Sequence, residues 1–249
     1  MSWLLSAQGV HKSFGAVVAA QDLQVNIRAG ERISLIGSNG AGKTTFVNMI
    51  TGYIQPDAGQ IVLAGQNITG MSPRDITRLG VARSFQIPQL YPSMSVLDNM
   101  LVAQTTHENQ LSWWRPAHSA ASRERAEAVL ARFNLLVHRH RLVAELPGGV
   151  RKLVDIALAM MGSPQLLLLD EPTSGVAAEE KFPMMDTVMQ ALDGQSLTAL
   201  FVEHDMDIVS RYCQRVIAFY SGRIIADDVP AVALAHADVR RYVTGERDA

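Results

Sequence analysis

Short apolar runs alternate with longer stretches of helical spacing along this chain, a pattern that predicts α/β construction. Residues 4–30 read as strands joined by turns, and Ile33-Ser34-Leu35-Ile36 as a short buried strand. A glycine loop follows, then a helix from about Lys43 to Gly52. Pro56 to Gly70 reads as a hairpin turning at Asp57-Ala58-Gly59, with Ile61-Val62-Leu63 extended. From about Gln86 to Glu145 the spacing is mostly helical, and Val129, Phe133 and Leu136 share one face there. Thr105 to Ala121, with Trp113, Trp114 and Pro116, breaks that pattern as a loop insertion. A further helix is predicted from about Val150 to Met161. Leu166–Leu169 and Leu197–Glu203 read as buried strands. Val216–Tyr220 and Arg223–Ala226 form a hairpin over Ser221-Gly222, and Pro230 to Ala249 reads as a final helix.

Composition narrows the possibilities. The 249 residues are 48% hydrophobic, enough for a sizeable core, and the net charge of -2 gives no reason to expect nucleic acid as a partner. The single cysteine, Cys213, rules out an internal disulfide framework and fits a reducing compartment. Met1 to Val10 is too short and mixed for a secretory signal, and no apolar run approaches the roughly 20 residues of a membrane span. Any membrane role is therefore expected to come through partner subunits.

The strongest chemical signal is Gly37-Ser38-Asn39-Gly40-Ala41-Gly42-Lys43-Thr44, which satisfies the P-loop pattern between an apolar strand and a helix. Its glycines let the backbone wrap phosphate with amides pointing inward, and the next helix adds its positive N-terminal end. Lys43 is expected to neutralise the β- and γ-phosphates of ATP, Thr44 to hold Mg²⁺, and Thr45 to offer a hydroxyl near the α-phosphate. Leu166–Leu169 followed by Asp170-Glu171 supplies the acids: Asp170 for the Mg²⁺ shell, Glu171 to polarise the attacking water.

The order of the remaining motifs resembles the ATP-binding cassette (ABC) family across nearly the whole chain. Those motifs are Ser84-Phe85-Gln86, Leu146-Pro147-Gly148-Gly149 and Phe201-Val202-Glu203-His204-Asp205. The resemblance implies one nucleotide-binding domain over residues 1–249 with a P-loop NTPase, RecA-like core. An N-terminal antiparallel β-subdomain belongs with that core (about 1–85 and 163–249). An inserted α-helical subdomain (about 86–162) carries the signature loop. It also implies that Phe14 stacks on adenine, that Gln86 senses the γ-phosphate and Mg²⁺, and that His204 contacts the γ-phosphate. Gly148 and Gly149 then offer their amides to a nucleotide held by the opposite subunit.

Three stretches, Val81–Gln86, Ser95–Gln104 and Val202–Met206, look like the branched-chain amino acid transport branch. That resemblance implies a second ATPase subunit, in a heterodimer or a homodimer, and two transmembrane permease subunits. It further implies a periplasmic substrate-binding protein and a place on the cytoplasmic face of the inner membrane. Ile87 to Asp98 is the expected docking segment for a membrane subunit. An ABC ATPase for another substrate and a mainly regulatory nucleotide-binding partner remain open alternatives. Two departures from the family pattern stand out. The signature, usually L-S-G-G-Q, reads Leu146-Pro147-Gly148-Gly149-Val150, and the loop Ser174-Gly175-Val176-Ala177 ends in alanine instead of Asp or Asn. The elements this chain keeps look intact, and those it lends to the opposite site look weakened.

Overall fold

The computed structural model describes residues 3–108, 119–193 and 197–245. The chain divides into two compact units, Met1–Val81 with Ser196–Ala249, and Ala82–Gln195. The second unit contains the strand before Asp170, which the sequence reading grouped with the RecA-like core.

In the first unit, β1 (Leu5–Phe14) and β2 (Val17–Ile27) form an antiparallel hairpin. β3 (Arg32–Gly37) leads to helix α1 (Lys43–Ile50), and β4 (Ala58–Leu63) and β5 (Gln66–Asn67) follow. A four-stranded sheet runs in the order β2-β1-β4-β5. Its alternating residues Leu5, Ala7, Leu23, Val25, Ile61 and Leu63 are buried, as expected of an antiparallel sheet with one face covered. The Asp57–Gly59 turn is not where the sequence placed it. Gly59 lies inside β4 at φ 88, where a Cβ would stand 2.3 Å from the Gly9 carbonyl oxygen of β1. Glycine serves close strand approach there. The hairpin turns instead at Ala64-Gly65, both with positive φ (47 and 84), as a two-residue loop requires. Helix α2 (Pro73–Arg78) starts at a Ser72 cap, accepting from Asp75 N.

The second unit holds β6 (Val81–Ser84), α3 (Val96–Glu108), α4 (Ala120–Arg132), α5 (Gly148–Met160), β7 (Leu166–Asp170) and α6 (Ala178–Leu192). β6 and β7 are neighbours. Helix begins only at Val96, later than the spacing suggested; Pro88 and Pro92 lack the amide hydrogen a helix needs and disfavour helical backbone in the residue before each. Asn99 holds that irregular stretch, accepting from Tyr91 N at 2.8 Å and donating to Tyr91 O and Ser95 O at 3.2 and 2.9 Å. Val129 and Phe133 are buried, while Leu136 is half-buried in a short 3₁₀ turn past the end of α4. Trp113, Trp114 and Pro116 lie outside the described residues.

The first unit resumes with β8 (Thr198–Val202), α7 (Met206–Tyr212), β9 (Arg215–Tyr220) and β10 (Arg223–Asp228). Its second sheet runs β10-β9-β3-β8, with β3 parallel to both neighbours. Ile33, Ser34, Leu35 and Ile36 are buried without alternation, as befits a parallel strand covered on both faces. The C-terminal region is three short pieces rather than one helix: α8 (Pro230–Ala235), α9 (Ala237–Val239) and a π turn over Arg240–Thr244. His236, extended at φ −62 and ψ 132, makes the break. That break lets Ala233 and Val239 both pack against Ile36, Val209, Val216 and Ala218. No helix among the described residues is long and apolar enough to cross a membrane.

Candidate functional site

The P-loop leaves the C-terminal end of β3, the end where ligands bind in parallel sheets. Two of its glycines are compelled by space. At Gly37 a Cβ would lie 2.4 Å from the Phe219 carbonyl oxygen, and at Gly42 (φ 111) 2.3 Å from that of Ala19. Gly42 caps α1 in a left-handed conformation. Ser38, Asn39 and Gly40 are exposed and Ala41 is buried. Phe46 and Val47 anchor the helix, with the Phe46 and Phe219 ring centroids 5.8 Å apart. Lys43 is 5% exposed, and its ammonium donates to the Gly37 carbonyl and, at 3.1 Å, to that of Ser38. The positive charge is thus held inside the loop's curve. Thr44 is exposed and Thr45 half-buried on the first turn.

Phe14 ends β1 at 49% exposure, with Lys12 Nζ 5.5 Å from the ring centroid. An aromatic so exposed is not a core residue. His204 is exposed just after β8. The buried Glu203 carboxylate accepts from His204 N at 3.1 Å and Asp205 N at 3.5 Å, and Asp205 caps α7. That local arrangement turns the chain sharply after the strand.

In the second unit the acids stand at the end of β7. Asp170 pairs with Arg83, Nη2 to Oδ2 at 2.6 Å, with the two side chains only 13% and 9% exposed. The guanidinium also lies over the Phe85 ring at 4.8 Å. Glu171 sits at φ 48, left-handed backbone that costs energy in a residue with a β-carbon. Gln86 Nε2 donates to Glu171 Oε2 at 2.6 Å, so two residues chosen from sequence meet directly. Gly148 and Gly149 form the first turn of α5. Pro147 occupies its N-cap without a side-chain hydrogen bond, and Ala177 does the same for α6.

Sequence reasoning missed three residues. Arg83 lay inside a quoted motif, but nothing marked it as the partner of Asp170. Lys152 and Asp155 are buried at 4% and 5% exposure on α5. Lys152 Nζ donates to the carbonyls of Gln86 at 2.6 Å, Glu171 at 3.2 Å and Phe85 at 3.4 Å. Asp155 accepts from Ser84 Oγ at 2.6 Å and Gln89 N at 3.0 Å. Burial pushes the Asp155 carboxyl above its ordinary value, against the lowering effects of Ser84, Gln89 and Lys152. The available signal was charge on the helix face that otherwise carries Ile156 and Met160.

The donor types fit magnesium. Thr44, Gln86 and Asp170 offer a hydroxyl, an amide oxygen and a carboxylate, all hard oxygens. Among the described residues no cluster of three His, Cys, Asp or Glu forms a metal cage.

A P-loop after a central parallel strand, and an acid pair after a buried strand, define a P-loop nucleotide-binding ATPase. The ABC transporter family profile matches residues 20–174. This chain belongs to that family, as an ATP-binding subunit whose hydrolysis is coupled to transport. The high-affinity branched-chain amino acid transport ATP-binding protein LivG of Escherichia coli K12 is 34% identical over 253 residues, covering 98% of each chain. BraF of Pseudomonas aeruginosa, of the same description, is 32% identical over 250 residues, again 98% of each. An ATP-binding cassette of an ABC transporter in its ADP conformation superposes with a TM-score of 0.87. It is 29% identical, covering 97% of this chain and 98% of that one. The fold expected from sequence, a P-loop core with an antiparallel β-subdomain and a helical part, is therefore the fold found.

Proposed function

We propose that this chain binds Mg-ATP and powers import of branched-chain amino acids or a related amino acid or amide. The names of LivG and BraF support the substrate class. In this reading Ser38 to Thr45 wrap the phosphates, with Lys43 as their cation, and Phe14 stacks on adenine. Thr44, Gln86 and Asp170 hold Mg²⁺, which when bound neutralises charge on the β- and γ-phosphates. Glu171 orients water for in-line attack, and His204 stabilises charge developing on the γ-phosphate. Gly148 and Gly149 present α5 amides to the nucleotide of a second ATPase subunit. Two permease subunits dock near Ile87 to Asp98, a periplasmic protein delivers substrate, and the chain works at the cytoplasmic face of the inner membrane.

The observation that carries the catalytic part is the 2.6 Å bond from Gln86 to Glu171, which joins the expected sensor to the expected water-orienting acid. The test is ATP turnover by the assembled transporter, wild type against Glu171→Gln, with and without a branched-chain amino acid supplied. Collapse of substrate-stimulated turnover is expected. Persisting turnover refutes the catalytic assignment.

The pair of N-caps lacking side-chain acceptors, Pro147 and Ala177, favours a further reading within the same function. In a heterodimer, the site built on this chain's own P-loop hydrolyses faster than the site to which it lends α5. Substituting each subunit's water-orienting glutamate separately tests this, and equal loss from both would sink it.

A further inference from the structure

We propose that Lys152 is a positioning residue for hydrolysis. Its buried ammonium sets where the Gln86 amide and the Glu171 carboxylate stand, by holding the backbone carbonyls of both residues. The proposal rests on the roles given to Glu171 and Gln86 above.

Lysine is almost never fully buried unless paired, since removing its charge from water is costly. Lys152 is 4% exposed, and its ammonium reaches three main-chain oxygens of two segments far apart in sequence. Two belong to the stretch after β6, Phe85 and Gln86. The third belongs to Glu171, after β7. One point charge on α5 therefore joins the two loops whose side chains meet in the Gln86–Glu171 bond. Asp155, three residues on and so on the same helix face, holds the first loop on either side of Phe85-Gln86 through Ser84 Oγ and Gln89 N. A helix face that buries Ile156 and Met160 beside Lys152 could be filled with apolar side chains at less desolvation cost. Two buried charges that spend their hydrogen bonds on catalytic loops point to placement, not packing.

The Glu171 backbone strengthens the case. At φ 48 it occupies a region that persists only when its surroundings over-determine it. Its carbonyl accepts from Lys152 Nζ at 3.2 Å and from Ser174 N at 3.1 Å. Removing the ammonium withdraws one of those two restraints from the residue that must aim at water. Lys152 also lies one turn beyond Gly148 and Gly149, so the helix that offers amides to the opposite nucleotide is the helix that aims this chain's own acid.

The experiment compares Lys152→Met, Gln86→Ala and their double variant in the assembled transporter, measuring kcat and the KM for ATP. Glu171→Gln is run alongside. Lys152→Met keeps the apolar stem and removes the charge. Misplacement of reacting groups lowers rates by up to on the order of 10²-fold, so kcat is expected to fall at least about tenfold with KM little changed. Because Lys152 acts partly through Gln86, the double variant is expected to be no slower than the slower single variant. A kcat within about twofold of wild type, or losses that multiply in the double variant, overturns the proposal. Should Lys152→Met fail to assemble, Lys152→Gln, which keeps a polar head without the charge, replaces it with the same expectations. Unimpaired turnover in Glu171→Gln refutes the underlying reading instead. An inactive Glu171→Gln beside a fully active Lys152→Met refutes the positioning role alone.

Discussion

Helix α6 begins without a capping side chain, and the structure says what supplying one should do. Ala177 has φ −59 and ψ 145, the extended backbone of an N-cap, yet its methyl group accepts no hydrogen bond. The residue is exposed, so a larger side chain meets no steric objection. Ala177→Asn places an amide oxygen within reach of the backbone N–H groups of the first turn. Asparagine is preferable to aspartate because Glu179 and Glu180 already put negative charge on that turn. A cap of this kind stabilises by about 1 kcal/mol, which in a chain of this size raises Tm by about 2–4 °C. Differential scanning calorimetry of the nucleotide-free chain reads it directly. Ala177→Leu serves as the control, since leucine adds no acceptor and is as poor an N-cap as alanine. An unchanged or lowered Tm for Ala177→Asn would refute the assignment of Ala177 as a deficient cap. If the same deficiency slows the site to which this chain lends the loop, the variant also raises ATP turnover in the assembled transporter.

Two further outcomes follow from buried ionisable groups. Cys213 is buried, which pushes its thiol up to about 12, with nearby Glu203 adding to the effect. At pH 8 only about 10⁻⁴ of it is thiolate, so a thiol–disulfide reagent should label the urea-unfolded chain quickly and the folded chain hardly at all; rapid labelling of the folded chain would contradict this. For Asp155 the folded-state carboxyl titrates above its ordinary value of 3.8 because it is buried, so the folded state holds the proton to higher pH than the unfolded chain. Stability from this group is full below that ordinary value and is lost as pH rises through the raised one. Urea midpoints measured from about pH 4 to about pH 8 should therefore shift against wild type relative to Asp155→Asn as pH rises, and a constant difference would remove the physical basis for the shift.

What could be read from the sequence was whatever local pattern determines. The P-loop announces itself because its glycines answer steric demands within a few residues, as the 2.4 and 2.3 Å approaches at Gly37 and Gly42 show. The strands β3, β7 and β8 were found because burial on both faces leaves unbroken apolar runs. Gly59 misled because a glycine needed for close approach to Gly9 looks, in sequence, like a glycine needed for a turn. The C-terminal helix was overestimated because nothing in Pro230–Thr244 marks His236 as the break, which serves the packing of Ala233 and Val239. Arg83, Lys152 and Asp155 were missed for the same reason. Their partners, Asp170, the carbonyls of Gln86 and Glu171, and Ser84, are distant in sequence, and a main-chain oxygen carries no residue identity for a pattern to find.

The two departures from the family pattern have one physical description. Pro147 and Ala177 both stand at helix N-caps, and each replaces a side chain that could accept a hydrogen bond with one that cannot. Such a cap normally satisfies first-turn N–H groups, and losing it costs helix stability. At α5 the loss has a second effect. A serine there would compete for the same first-turn amides that a phosphate would use. With Pro147 in place no capping side chain competes, and the first-turn amides, those of Gly148 and Gly149 among them, remain available to an anion. The hydroxyl contact is gone, while the helix end keeps its electrostatic character. The altered signature is thus expected to weaken orientation of a bound phosphate more than its attraction. On the proposed reading, a site built this way is expected to bind nucleotide and turn it over slowly, and the site using this chain's own P-loop and Glu171 to keep both capacities.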